Sequence, residues 1–136
     1  MSNDNNKEIV RQFVEAAQTN HDLTAVDTMM SADFVDHSVP PGLPSNRDGV
    51  KMQFSMFFGA LPDLQAVIHE QIAEGDKVMT RKSLRGTHQG DLFGVPPTGK
   101  PISIEVIDIL RLRDGKITDH WNLVDQLGLM RQLGAL

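Results

Sequence analysis

The sequence predicts an α+β fold, and three observations carry that prediction. Up to Pro62 the apolar residues recur at helical spacing. Beyond Pro62 they alternate with period two until a short closing helix, so helices and strands are largely segregated and do not take turns as in an α/β chain. There is also no internal repeat, linker or low-complexity tract, so the reading is one domain over residues 1–136. A strongly curved antiparallel sheet wrapped over its own helices would leave one end open as an apolar pocket.

The elements follow in order. From about Lys7 to Thr19, Ile9, Val10, Phe13, Val14 and Ala17 form one helical face, with Asn3 or Asp4 as cap and Asn20-His21-Asp22 as terminator. A shorter helix spans roughly Thr24 to Met30, and Phe34 to Ser38 reads as a short strand. Pro40, Pro41 and Pro44 then forbid helix. Ser45 or Asn46 caps a third helix, whose face is Val50, Phe54, Phe57, Phe58 and Leu61, and Pro62-Asp63 stops it. The phenylalanines, with Met52 and Met56, read chiefly as core, and Phe57 is a candidate to line a pocket for a flat apolar ligand.

After Pro62, Leu64, Ala66 and Ile68 alternate up to a turn at Glu74-Gly75-Asp76. Val78, Thr80 and Leu84 continue the alternation in the next strand. A Gly/Pro-rich turn runs from Gly86 to Gly99. Two longer strands, Ile102 to Leu112 and Ile117 to Asp125, then meet at Arg113-Asp114-Gly115-Lys116, and a short helix closes the chain.

On the first hairpin strand the even positions are Ile102, Ile104, Val106, Asp108, Leu110 and Leu112, so Asp108 is the one polar residue on the drier face. The turn decides what lies opposite. A two-residue Asp114-Gly115 loop sets Trp121 against Asp108. A three-residue loop with Gly115 in a bulge sets His120 against Asp108 and Asn122 against Val106. The second register is favoured, because it gathers the buried polar groups where they can satisfy one another.

Composition excludes several classes. The net charge is −5 with no basic cluster, which argues against a nucleic-acid partner. There is no cysteine, hence no disulfide framework and no thiolate chemistry. No apolar run approaches the length that spans a bilayer, and residues 1–6 do not form a signal peptide, so the expectation is a cytoplasmic protein with no membrane partner. His37, His88 and His120 show no metal-ligand spacing, so no metal is expected.

Several segments together resemble the SnoaL-like polyketide cyclases. They are Gly86-Thr87-His88-Gln89-Gly90, Gly94-Val95-Pro96-Pro97-Thr98-Gly99, Asp114-Gly115-Lys116-Ile117, His120-Trp121 and Arg131-Gln132-Leu133-Gly134. Leu61-Pro62-Asp63-Leu64 and Asp33-Phe34-Val35-Asp36-His37 match earlier parts of the same pattern. The resemblance implies a cone-shaped α+β barrel of the nuclear transport factor two-like superfamily, a homodimer, and intramolecular aldol chemistry on a small apolar carbonyl compound without a cofactor. It places the family's catalytic aspartate at Asn122, its histidine at Asp108, and an early polar pocket residue near Asp36. The chain departs from the family at both key positions, since an amide cannot take a proton from carbon.

Abstraction of a proton next to a carbonyl needs a base, a donor for the developing enolate oxygen, and a dry pocket. Asp108 is the expected base, His120 its acid or orienting partner, and Asn122 the donor. The plainer alternative is that these three form a satisfied structural network. Asp36 and His37 would rim the pocket or cap a strand, and Val106 would line it beside Asp108. His88 would fix its turn or touch a ligand, and Trp121 would serve as core, dimer interface or stacking platform. Two other functions fit the same residues: a cofactor-independent hydroxylase on this scaffold, and a non-catalytic small-molecule binding or dimeric module.

Overall fold

The computed structural model describes residues 2–136. In chain order the elements are α1 (Asn3–Val14) with a π-helical turn (Glu15–Thr19), α2 (Thr24–Met29), β1 (Met30–Asp36) and α3 (Arg47–Ala60). These are followed by β2 (Gln65–Glu74), β3 (Lys77–Thr87), β4 (Pro101–Arg113), β5 (Lys116–Val124) and α4 (Gln126–Gln132). The α+β segregation is as the sequence predicts. The cap of α1 is Ser2, one residue before the expected pair, and its side chain accepts from the Asn5 N–H at 3.1 Å. Asn46 caps α3 by accepting from the Gly49 N–H, and Leu61-Pro62 ends it.

Five strands form one sheet in the order β1-β5-β4-β3-β2. The pairs β2–β3, β3–β4 and β4–β5 are antiparallel, whereas β1 lies parallel to β5. The sheet is therefore mixed rather than antiparallel throughout. A parallel neighbour needs a long crossover, and everything between residues 36 and 116 supplies it. This edge pairing brings Asp36 level with His120 across 84 positions of sequence.

The expected three-residue hairpin loop is corrected by the structure. Asp114 and Gly115 both have positive φ, 51° and 77°, which makes the two-residue turn that matches strand twist. Arg113 then pairs with Lys116 and Leu112 with Ile117, but Arg111 pairs with Asp119, so Thr118 is the extra residue of a β-bulge. The bulge shifts the register by one. Asp108 faces Asn122, Leu110 faces His120 and Val106 faces Val124. The bulge also keeps His120 and Asn122 on the same face as Asp108.

Every even residue of β4 from Ile102 to Leu112 is buried. Against this concave face the core forms two clusters. One gathers Val10, Phe13 and Val14 of α1 with Val26, Phe34, Val78, Leu110 and Ile117. The other gathers Leu61, Leu64, Leu84, Leu92, Ile102 and Ile104 with Leu129 and Leu133. Met52 and Met56 do not join them. They are 50% and 41% exposed, because the helical face that carries Val50, Phe54 and Phe57 points the other way. Gly49 lets the Pro44 carbonyl approach α3 so closely that a Cβ there would lie 1.8 Å from the oxygen. No helix among the described residues is long and apolar enough to cross a membrane.

Candidate functional site

Where the two core clusters meet, a cavity of ≈ 90 Å³ remains between α1, α3 and the concave face of the sheet. A single water needs roughly 10–15 Å³ by this measure, so the space is several waters large. Its walls are mainly apolar, with Phe13, Phe54, Phe57 and Phe58 from the helices and Leu84, Ile104, Val106 and Leu110 from the sheet. Its polar lining is Gln18, Asp36, Gln53, Lys82, Asp108, His120 and Asn122.

These groups form two separate constellations. In the first, Asp36 Oδ1 lies 3.0 Å from His120 Nδ1. The same carboxylate accepts from the Ser38 N–H at 3.0 Å and from the Gln53 amide at 3.3 Å. Burial raises the Asp36 carboxyl. The hydrogen bond and charge of His120, together with the Ser38 and Gln53 donors, outweigh burial and hold it below its ordinary value. An ionised carboxylate is acceptor-only, so Nδ1 of His120 is the nitrogen that donates to it, and in the neutral imidazole this leaves the lone pair on Nε2.

In the second constellation, Lys82 Nζ lies 2.8 Å from Asp108 Oδ2 and donates to Gln18 Oε1 at 2.9 Å. The side chains of Lys82 and Asp108 are only 4% and 6% exposed. Asp108 Oδ1 is buried with no hydrogen-bond partner among the described residues. Gln18 reaches Lys82 from the π-helical turn at the end of α1, the kind of local widening that often re-aims a side chain at a functional site.

The expected residues are thus partly brought together. Asp108, His120 and Asn122 share the cavity with Asp36, Phe57 and Val106. His120, however, is paired with Asp36 and not with Asp108, and Asn122 is the direct cross-strand neighbour of Asp108. The remaining three expected residues lie elsewhere. Trp121 and His37 stack on each other at 4.6 Å on the opposite, convex side of β5, where His37 Nε2 also meets Asp119 at 2.8 Å. The alternation that turns His120 and Asn122 inward turns Trp121 outward. His88 is fully buried within its own loop. Its Nδ1 accepts from the Thr98 N–H at 3.1 Å and meets the Thr98 hydroxyl at 2.9 Å, so the ring fixes the turn.

Lys82 and Gln18 are site residues the sequence reading missed. Lys82 could have been found, because it shares the parity of Val78, Thr80 and Leu84 on β3. The alternation that singled out Asp108 applies to it equally. Gln18 gives no such signal, since its aim depends on the π-helical turn. Among the described residues, no three His, Asp or Glu side chains gather in a way that could hold a metal ion.

A family model described as SnoaL-like polyketide cyclase matches residues 8–133. Aklanonic acid methyl ester cyclase DnrD of Streptomyces peucetius is 42% identical over 71 residues, 52% of this chain and 48% of that protein. The match therefore spans about half of that relative's length. Among solved structures, TsrD from Streptomyces laurentii superposes with a TM-score of 0.89 at 26% identity, covering 100% of this chain and 99% of the other. AclR from Streptomyces galilaeus, a candidate hydroxylase, gives 0.87 at 32% identity over 99% of both chains.

Proposed function

The chain belongs to the SnoaL-like polyketide cyclase family, and on that premise we propose that it is a cyclase-like enzyme working by acid–base chemistry on a small apolar carbonyl compound. The observation that supports this most is the Asp36–His120 pair. It is an oriented imidazole on a residue lining a mainly apolar, aromatic-walled cavity. In this reading His120 Nε2 takes a proton from carbon next to a carbonyl, and Asp36 stabilises the imidazolium that results. The Asn122 amide donates to the enolate oxygen. The enolate carbon attacks a second carbonyl of the same molecule, forming the new carbon–carbon bond. The alkoxide so formed then recovers the proton from His120. Atoms balance within one substrate.

The base is thereby assigned to His120 rather than to Asp108, the residue expected from sequence. One oxygen of Asp108 is committed to a buried ammonium at 2.8 Å, whereas His120 keeps a lone pair directed by its partner. The Asn122 amide is suited to donating and not to taking a proton. This division of labour accommodates a chain in which no aspartate occupies that position.

A second reading, cofactor-independent hydroxylation, is favoured by the likeness to AclR. One experiment separates the two. The full chain is incubated with aklanonic acid methyl ester, the compound named for DnrD, under an oxygen electrode, and the product is weighed by mass spectrometry. Cyclisation leaves the mass unchanged and consumes no oxygen. Hydroxylation adds one oxygen atom and draws down O₂. His120→Ala slows cyclisation by a hundredfold or more, whereas a comparable loss confined to Asp108→Asn returns the base to Asp108. We further propose that the protein acts as a homodimer, to be checked by light scattering.

A further inference from the structure

Lys82 and Asp108 each hold something in reserve. An ammonium has three N–H donors, and two of those on Lys82 are spent, on Asp108 Oδ2 and Gln18 Oε1. The third has no partner among the described residues. Asp108 Oδ1 is an acceptor in the same condition, on a residue only 4% exposed. Both residues line the cavity. A buried acceptor without a donor is destabilising, and the site as built is completed by a molecule that brings an acceptor and a donor side by side.

We propose that Lys82 and Asp108 form a substrate subsite that reads a carbonyl with a hydroxyl or enol on the neighbouring position. The carbonyl oxygen accepts from the spare Lys82 N–H, and the hydroxyl donates to Asp108 Oδ1. This deepens the acid–base reading of the same cavity and rests on it. Charge fixes the class of carbonyl. Lys82 is already neutralised by Asp108, and Asp36 adds a further negative charge along the same wall. A free carboxylate entering here would meet two carboxylates and one cation that is already paired, at low dielectric. The subsite therefore selects a hydroxy-ketone or hydroxy-ester in neutral form. The phenyl rings of Phe54, Phe57 and Phe58 suit a flat, aromatic bearer of that group.

Three probes test it at pH 7 by calorimetry on the full chain. Methyl salicylate carries ester carbonyl and adjacent hydroxyl, methyl benzoate lacks the hydroxyl, and salicylate replaces the ester by a free carboxylate. The expected result is that methyl salicylate binds at least tenfold more tightly than methyl benzoate, with salicylate weakest. In Lys82→Met/Asp108→Leu, which removes both charges together, the preference for the hydroxyl falls to about onefold while methyl benzoate still binds. Equal binding of the two esters to the natural chain overturns the proposal, as does a hydroxyl preference that survives in the double variant. Salicylate binding as tightly as its ester overturns the selection for a neutral group. These are equilibrium measurements, so they fail independently of catalysis. Tight hydroxy-ester binding without turnover of aklanonic acid methyl ester would sink the cyclase reading and leave the subsite standing.

Discussion

Asp36, the last residue of β1, holds His120 of β5 through Oδ1 and Nδ1 at 3.0 Å, and does so because the two strands run parallel at the sheet edge. The carboxylate fixes which imidazole nitrogen carries the proton in the neutral ring. Asp36→Asn keeps the shape but lets the amide donate to Nδ1, which turns the tautomer round and blocks Nε2 as a base. The expected loss is on the order of a hundredfold or more in kcat, with KM little changed. Steady-state kinetics on the preferred substrate check it, and a change confined to KM would reduce Asp36 to a binding role.

The same pair ties stability to pH. At Asp36, Glu105 and Asp119 burial raises the carboxyl, and hydrogen bonds from His120, from Ser83 and Ser103, and from His37 and Thr118 more than offset it. At Asp63 the Thr87 N–H and hydroxyl lower the carboxyl outright. All four folded values thus lie below their unfolded ones. Their stabilisation is present above the unfolded carboxyl values of about 4 and is lost as pH falls through the lower folded values. Thermal melts followed by circular dichroism should hold level from pH 7 to about 5 and drop below about 4. Asp36→Asn should melt below the natural chain at pH 6, with the gap closing by pH 3. An unchanged gap would place the stabilisation elsewhere.

How far the sequence exposed this site depends on the range of the interaction. Alternation along a single strand is local, so the burial of Asp108 and the shared face of His120 and Asn122 were legible. The helix faces through Val50, Phe54 and Phe57 were legible for the same reason. The Thr118 bulge was not, because nothing in the run from Lys116 to Val124 marks one residue as extra, and the register slipped with it. The Asp36–His120 pair was not either. It requires knowing that the first strand returns beside the last, a choice made by packing over the whole domain and not by any segment.

The close approach of Pro44 to Gly49 anchors the start of α3, the helix that carries Gln53, Phe54 and Phe57 into the cavity. In Gly49→Ala the new Cβ would meet a backbone oxygen, which cannot rotate away. Either the proline loop or the helix must shift. We expect a loss of about 1–3 kcal/mol in urea unfolding, the usual cost of overpacking. Weaker ligand binding should accompany it, because Gln53 and its hydrogen bond to Asp36 move with the helix. A stability equal to that of the natural chain would show that the loop yields freely.

Lys82 and Asp108 give a last test through their mutual dependence. Lys82→Met strands a carboxylate that is 6% exposed, and leaving one partner of a buried pair alone costs about 3–5 kcal/mol. Asp108→Leu strands the ammonium at a similar cost, relieved in part by Gln18. Exchanging both for apolar residues of like volume removes the stranded charge, and such swaps are often neutral or stabilising. The double variant should therefore be more stable than either single one in chemical denaturation, with a coupling energy of several kcal/mol across the cycle. Simple additivity would mean that the two groups do not depend on each other in the folded protein. In that case the pair is a surface-like contact, and its spare donor and acceptor have no claim on a substrate.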